Sequence, residues 1–201
     1  SNAAEPHRVL SQENAAIMTK MLEGVVQNGT AKGRVMLAER VAVAGKTGTT
    51  QRGVDRLFVG YTPAVLGGVW TGYDYPAEHE GIHANVSVLV WDDIMSRLYD
   101  AGIFEHTPVG FDLPDTVRPM VYCADSGQMP TYACTCDLRG SRTCIGYFTR
   151  DNMPKHSCGT HVLVPYDTVF GGVANADCPI EVIRDAGLLQ GTRSFGHEVF
   201  I

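Results

Sequence analysis

The chain has 201 residues, 44% of them hydrophobic, and a net charge of −6, which suits one or two small domains with their own cores. Its acidity argues against nucleic acid as a partner and against docking on an anionic membrane. No apolar run approaches the roughly 18 residues that a membrane-spanning helix needs.

The opening Ser1-Asn2-Ala3 reads as a protease-cleavage scar, so the natural polypeptide is expected to begin further upstream. Ser11 is a suitable N-cap, with Glu13 at the positive end of the helix that follows. Ile17, Met18, Met21, Leu22, Val25 and Val26 fall on one stripe, predicting an amphipathic helix that ends near Gly29. Strands are expected at about 40–47, 56–63 and 64–74, and a second helix near 86–100 with Val86, Val90, Ile94 and Leu98 or Met95 on its apolar face. A strand meander with helices against it is an α+β layer arrangement.

Between the first two strands stands Gly45-Lys46-Thr47-Gly48-Thr49-Thr50. A lysine beside small hydroxyl residues and a glycine can form the wall of an anion site. The ammonium supplies charge, the hydroxyls orient a carboxylate, and the glycine admits close approach to the backbone. The bare triplet carries little information, and the flanks carry more. Val9-Leu10-Ser11, Met18 to Val26, Gly29-Thr30-Ala31, Val43 to Thr50, Phe58-Val59-Gly60-Tyr61-Thr62-Pro63 and Trp70-Thr71-Gly72-Tyr73-Asp74 together resemble, in order and spacing over about residues 9–75, the C-terminal third of the transpeptidase domain of class A penicillin-binding proteins. That family also uses Ser-x-x-Lys and Ser-x-Asn motifs upstream of Lys-Thr-Gly. None of Ser1, Ser11, Ser87, Ser96, Ser126, Ser141, Ser157 and Ser194 has lysine three residues on or asparagine two residues on. The chain thus holds half of such an active site.

The resemblance implies roles for the matching residues. Lys46 would keep the absent serine and its partner lysine reactive and attract a substrate carboxylate. Thr47 and Thr49 would hydrogen-bond that carboxylate, Gly48 would admit the substrate, and the Thr49 N–H would be one donor of the oxyanion hole. The implied parent is a membrane-anchored, extracytoplasmic serine D,D-transpeptidase, bifunctional with a glycosyltransferase domain, that cross-links peptidoglycan stem peptides and is acylated by β-lactams. No metal or organic cofactor is implied. The chain alone is expected to be inactive, since losing the nucleophile abolishes covalent catalysis.

All six cysteines, Cys123, Cys134, Cys136, Cys144, Cys158 and Cys178, lie beyond residue 120, and Pro108, Pro114 and Pro119 punctuate the stretch before them. This divides the chain into residues 4–108, a linker at 109–119, and a cysteine-rich extension at 120–201. The extension resembles the short segment that follows the transpeptidase domain in many Gram-positive class A proteins. Gly127 precedes Cys134 as Gly171 precedes Cys178, with Asp167 where a counterpart of Cys123 would stand, which hints at an internal repeat. The expected state of the cysteines is disulfide-bonded, as befits a small extracellular segment. The rival is a zinc site drawn from Cys134, Cys136, Cys144, His156, Cys158 and His161, whose spacing fits no paired C-x₂-C pattern.

Two other functions are compatible with the residues: a non-catalytic module that binds cell-wall peptides or proteins, and a serine β-lactamase relative, which would lack the cysteine-rich extension. A further expectation concerns assembly. The meander supplies only three strands of a five-stranded sheet, and Leu57, Val59, Val65, Leu66, Val69 and Trp70 put apolar side chains on both faces. The isolated chain should therefore pair as a homodimer, exchanging either sheet edges or the helix at 11–28.

Overall fold

The computed structural model describes residues 7–75, 77, 78 and 85–190. The chain forms two compact units, residues 1–115 and 116–201. The expected linker at 109–119 straddles this division, its last three residues lying in the first strand of the second unit.

The first unit is a mixed α+β layer. Helix α1 (Gln12–Gln27) starts where the Ser11 hydroxyl accepts the Asn14 N–H at 3.2 Å. Strands β1 (Ala44–Thr49), β2 (Arg56–Tyr61) and β3 (Leu66–Thr71) form an antiparallel meander in that order. Helix α2 (Val86–Asp100) follows, capped by the Asn85 side chain, which accepts the Ser87 N–H at 3.1 Å. The predicted strand and helix positions agree with these to within a few residues.

One face of the meander is covered. Phe58 and Trp91 are fully buried and meet edge to face, with ring centroids 5.3 Å apart. Val26, Leu37, Val41, Val43, Val88 and Met95 pack around them. Gly60 and Gly67 make this possible: a Cβ at either would lie within 3.1 Å of the Trp91 ring, which donates its Nε1–H to the Gly67 carbonyl at 3.0 Å. Val65 and Val69 also pack toward this core, on one of the two apolar faces expected from sequence. By the alternation of a strand, Leu57, Val59, Leu66 and Trp70 share the opposite face, where Leu66 is 68% and Trp70 54% exposed.

The second unit contains two hairpin-like sheets. Strand β4 (Val117–Cys123) pairs antiparallel with β5 (Thr143–Thr149), enclosing a single helical turn, α3 (Tyr132–Thr135). Strand β6 (His161–Asp167) pairs with β8 (Ile183–Leu189) and with the short β7 (Gly172–Val173). Turn α3 presses on β8 at Gly187, where any side chain would collide with the Ala133 carbonyl, and the Gly187 N–H donates to the Cys136 carbonyl at 2.9 Å. The buried side chains of this unit are unusual in kind. Cys123, Cys134 and Cys158 form its hydrophobic cluster, and Asp137, His161 and Asp167 are buried polar groups.

Candidate active-site edge and candidate metal centre

Strand β1 is an edge strand. The Thr50 N–H donates to the Asp55 carbonyl at 3.1 Å. In an antiparallel ladder the backbone groups of alternate residues face the partner, so Gly48 and Lys46 also face β2, in register with Leu57 and Val59. The N–H and C=O groups of Thr47 and Thr49 therefore point to the open side. The Lys46 ammonium reaches this open edge and donates to the Thr47 carbonyl at 2.9 Å. The Thr47 and Thr49 side chains open into a recess of about 230 Å³ that Thr30, Arg34, Arg56 and Asn85 also line. There the Thr30 and Thr47 hydroxyls are hydrogen-bonded at 2.8 Å, and Arg34 donates to the Thr30 carbonyl at 3.1 Å. The Asn85 amide pins the two strands by donating to the Gly48 and Leu57 carbonyls at 3.4 and 3.2 Å.

The four residues singled out from sequence thus gather at one sheet edge, with Lys46 on one side and the threonine hydroxyls on the other. Thr30, Arg34 and Asn85 were not assigned a role from sequence. Thr30 stands in the Gly29-Thr30-Ala31 segment that carries part of the resemblance, whereas nothing in the local pattern marks Arg34 or Asn85.

In the second unit the disulfide expectation is corrected: Cys123, Cys134, Cys136, Cys144, Cys158 and Cys178 are all free. Cys123 ends β4, Cys134 lies in α3, and Cys158 and His161 bracket the entry to β6. The His161 Nδ1 sits 3.5 Å from the Cys123 sulfur, 3.5 Å from that of Cys134 and 3.3 Å from that of Cys158. The Cys158 and Cys123 sulfurs are 3.7 Å apart, far beyond the roughly 2.05 Å of a disulfide. All four ligand-type atoms lie within 4.8 Å of one another, and all four residues are buried. Cys136 and Cys144, which sequence reasoning grouped with this set, are outside it, and so is His156.

The surroundings are ordered by charge. The other imidazole nitrogen, Nε2, lies 3.1 Å from a carboxylate oxygen of Asp125 and 3.1 Å from one of Asp137. Arg139 holds both carboxylates, donating to Asp137 at 2.9 and 3.0 Å and to Asp125 at 2.8 Å, and Arg142 donates to Asp125 at 3.0 and 3.1 Å. The hydrogen bonds from Arg142, joined by Arg139, hold the Asp125 carboxyl below the usual carboxylate range. Burial opposes ionisation of Asp137, and the Arg139 contacts outweigh it, lowering that carboxyl as well. Burial raises the Cys134 thiol. Burial acts the same way on Cys158, but hydrogen bonds from Ser126, His161 and the nearby backbone overcome it and bring that thiol down to about 6. The Thr131 N–H points at the Cys134 sulfur, 3.4 Å away. Of these residues only the cysteines, His156 and His161 were weighed from sequence. The readable signal was Cys158-Gly159-Thr160-His161, a C-x₂-H spacing.

The expected repeat has a structural counterpart. Cys123 and Asp167 each end a seven-residue strand. After each, the glycine four residues on donates to the strand-end carbonyl, Gly127 to Cys123 at 2.8 Å and Gly171 to Asp167 at 2.9 Å. Both glycines take positive φ, 70° and 77°. The Asn175 N–H approaches the Cys178 sulfur at 3.4 Å, as Thr131 does that of Cys134.

Comparison with known proteins adds the following. A family model described as the penicillin binding protein transpeptidase domain matches residues 2–88. Penicillin-binding protein 1A of Clostridium perfringens is 31% identical over 161 residues, 80% of this chain and 19% of that protein. A match of that length runs past residue 115 into the second unit. Penicillin-binding protein 1A of Aquifex aeolicus is 38% identical over 113 residues, 53% of this chain and 15% of that one. The counterpart from Neisseria gonorrhoeae is 40% identical over 90 residues, 44% of this chain and 11% of its own. The chain thus spans about a fifth or less of the length of these relatives. In fold it is similar to the crystal structure of penicillin-binding protein 1A from Haemophilus influenzae, with a TM-score of 0.56 and 19% identity over 75% of this chain and 22% of that one.

Proposed function

Since the chain carries part of the transpeptidase domain of the penicillin-binding protein family, we propose that it is the substrate-binding edge of a peptidoglycan D,D-transpeptidase whose serine nucleophile lies elsewhere in a longer protein. The observation that supports this reading is the open edge of β1, where the backbone of Thr49 points away from the sheet beside the Lys46 ammonium and the Thr47 hydroxyl. In the reaction so assigned, a serine oxygen attacks the carbonyl of a terminal D-Ala-D-Ala, the terminal D-alanine leaves as the amine, and an amine of a second stem peptide takes the acyl group and frees the serine. A β-lactam acylates the same oxygen. The Thr49 N–H would donate to the oxyanion. Thr47 and Thr49, with Arg34 and Arg56 at the rim of the recess, would hold the stem-peptide carboxylate, and the Thr30–Thr47 hydroxyl pair would open to admit it.

This assigns the longer protein to the extracytoplasmic face of a membrane. Among the described residues no helix is long and apolar enough to cross one. The exposed face with Leu57, Val59, Leu66 and Trp70 would be covered by the remainder of the domain, and in the isolated chain by a second copy.

The test is acylation by a labelled penicillin in the longer protein. Thr49→Pro removes the outward-facing N–H together with the hydroxyl and leaves the β1–β2 ladder intact. Relative to Thr49→Val, which loses the hydroxyl alone, the acylation rate should therefore fall about 10²–10³-fold, the usual cost of one oxyanion donor. An unchanged rate would overturn the assignment. By itself this chain should give no adduct on intact-mass analysis, and a stoichiometric adduct on any of its residues would contradict the reading.

A further inference from the structure

The second unit holds a buried group of side chains for which transpeptidation has no use. We propose that Cys123, Cys134, Cys158 and His161 form a tetrahedral structural zinc site that ties the two hairpins of this unit together.

The geometry is the first support. One zinc ion with sulfur ligands at about 2.3 Å and nitrogen at about 2.05 Å requires ligand separations of about 3.8 Å between sulfurs and about 3.6 Å from sulfur to nitrogen in a regular tetrahedron. The separations are 3.7 Å for Cys123 to Cys158 and 3.3–3.5 Å from the three sulfurs to Nδ1. Four atoms this close leave room for a single ion between them and none for a multinuclear cluster. A set of three soft sulfurs and an imidazole selects zinc among the common divalent ions.

The surroundings are the second support. A ligating histidine needs a lone pair toward the metal and its other nitrogen protonated toward an acceptor. Here Nδ1 faces the sulfurs and Nε2 lies 3.1 Å from a carboxylate oxygen of Asp125 and of Asp137, the side on which a ligating histidine would carry its proton. Arg139 and Arg142 in turn fix both carboxylates. The Thr131 N–H aimed at the Cys134 sulfur would stabilise a thiolate.

The third support is what the site replaces. A buried cluster of three thiols and an imidazole offers little apolar contact, and a unit this small needs some other staple. On binding, three S–H protons leave to solvent as three Zn–S bonds form and Nδ1 contributes its lone pair. The ligands come from the end of β4, from α3 and from the entry to β6, so the ion would join segments that meet nowhere else through a large apolar core. The equivalent turn after β6 offers Asp167 and Cys178 in place of Cys123 and Cys134. Positions as far past β8 as Cys158 and His161 are past β5 are Glu198 and Ile201, outside the described residues, and Ile201 has no ligand atom.

The whole chain, prepared without chelator, is the material for the test. Elemental analysis should find about one zinc per chain, and a mercurial that caps thiols should release it. Replacement of zinc by cobalt(II) should give the intense visible bands of a tetrahedral sulfur–nitrogen site. Cys158→Ser should lose the metal, while Cys144→Ser, outside the cluster, should retain it. Should Cys158→Ser fail to fold, the cobalt spectrum of the unaltered chain decides the matter. A metal-free chain that takes up neither zinc nor cobalt, or that pairs Cys123, Cys134 and Cys158 in disulfides, would overturn the proposal.

Discussion

The two units solve the same problem with different materials. In the first, eight other buried apolar side chains close on Phe58 and Trp91 and the polar residues are left at the sheet edge, where on the proposed reading substrate would bind. In the second, three cysteines, a histidine and two aspartates are buried alongside Val117, Ala133, Ala186 and Leu188, and the apolar residues Val121, Ile145, Leu163, Val169 and Phe170 lie exposed. The first unit needs only water to drive its packing. The second buries few apolar side chains and, on our reading, folds around an ion. The same contrast recurs inside the second unit, between two turns of one design. One ends β4 with Cys123, and the other ends β6 with Asp167, whose Oδ1 accepts the Val169 and Phe170 N–H groups at 2.8 and 2.9 Å. Where the first turn offers a ligand, the second closes on itself.

The contrast can be broken from the apolar side. Trp91→Ala deletes a fully buried ring together with its hydrogen bond to Gly67, and should cost about 3–5 kcal/mol. The loss should appear in urea melts as an earlier transition of the first unit, with the zinc content unchanged. If zinc were lost as well, the two units would not be independent.

A milder change acts behind the metal ligand. Asp137→Asn keeps the shape and removes the charge that faces the His161 Nε2, so zinc affinity measured by competition with a chromophoric chelator should fall about 10–100-fold. Asp100→Asn, which alters an exposed pair with Arg40 in the first unit, should leave that affinity unchanged. Equal effects of the two would mean that Asp137 acts through general stability.

The smallest expected effect separates the two turns. Alanine at Gly127 or Gly171 meets no obstructing atom, so the penalty is the backbone cost of a left-handed residue, about 1 kcal/mol. At Gly127 that cost should appear as weaker zinc binding, because the turn presents Cys123. At Gly171 it should appear only as lower stability of the second unit. Identical zinc affinities in both variants would erase the distinction drawn between the turns.

What could be read from sequence follows the same divide. The first unit obeys periodic rules at the level of elements: α1, α2 and the three strands fall where the patterns put them, and Ser11 marked its own helix start. The expected apolar faces are corrected in part, since Met18, Met21, Val90 and Ile94 are exposed while Val88 and Trp91 join Met95 in the core. The edge residues Lys46, Thr47, Gly48 and Thr49 were found through a contiguous motif. Arg34 and Asn85 were not, because they reach the recess from other elements and no local pattern reports a long-range approach. In the second unit the cysteines were visible but their partnership was not. Their ligand atoms converge from positions up to 38 residues apart, and an even count in an extracellular setting favours disulfides when composition is the only guide. Only Cys158 and His161 stand at a ligand-like spacing. Asp125, Asp137, Arg139 and Arg142 carry no sequence signal, since charged residues in loops are ordinarily solvated.

Amide hydrogen exchange with and without zinc tests the central claim most directly. Removing the ion with a chelator should abolish protection in β4, β5, β6 and α3 and leave β1–β3 and α2 as protected as before, because local stability reports which contacts hold each unit. Unchanged protection of the second unit, or an equal loss in both, would contradict the account.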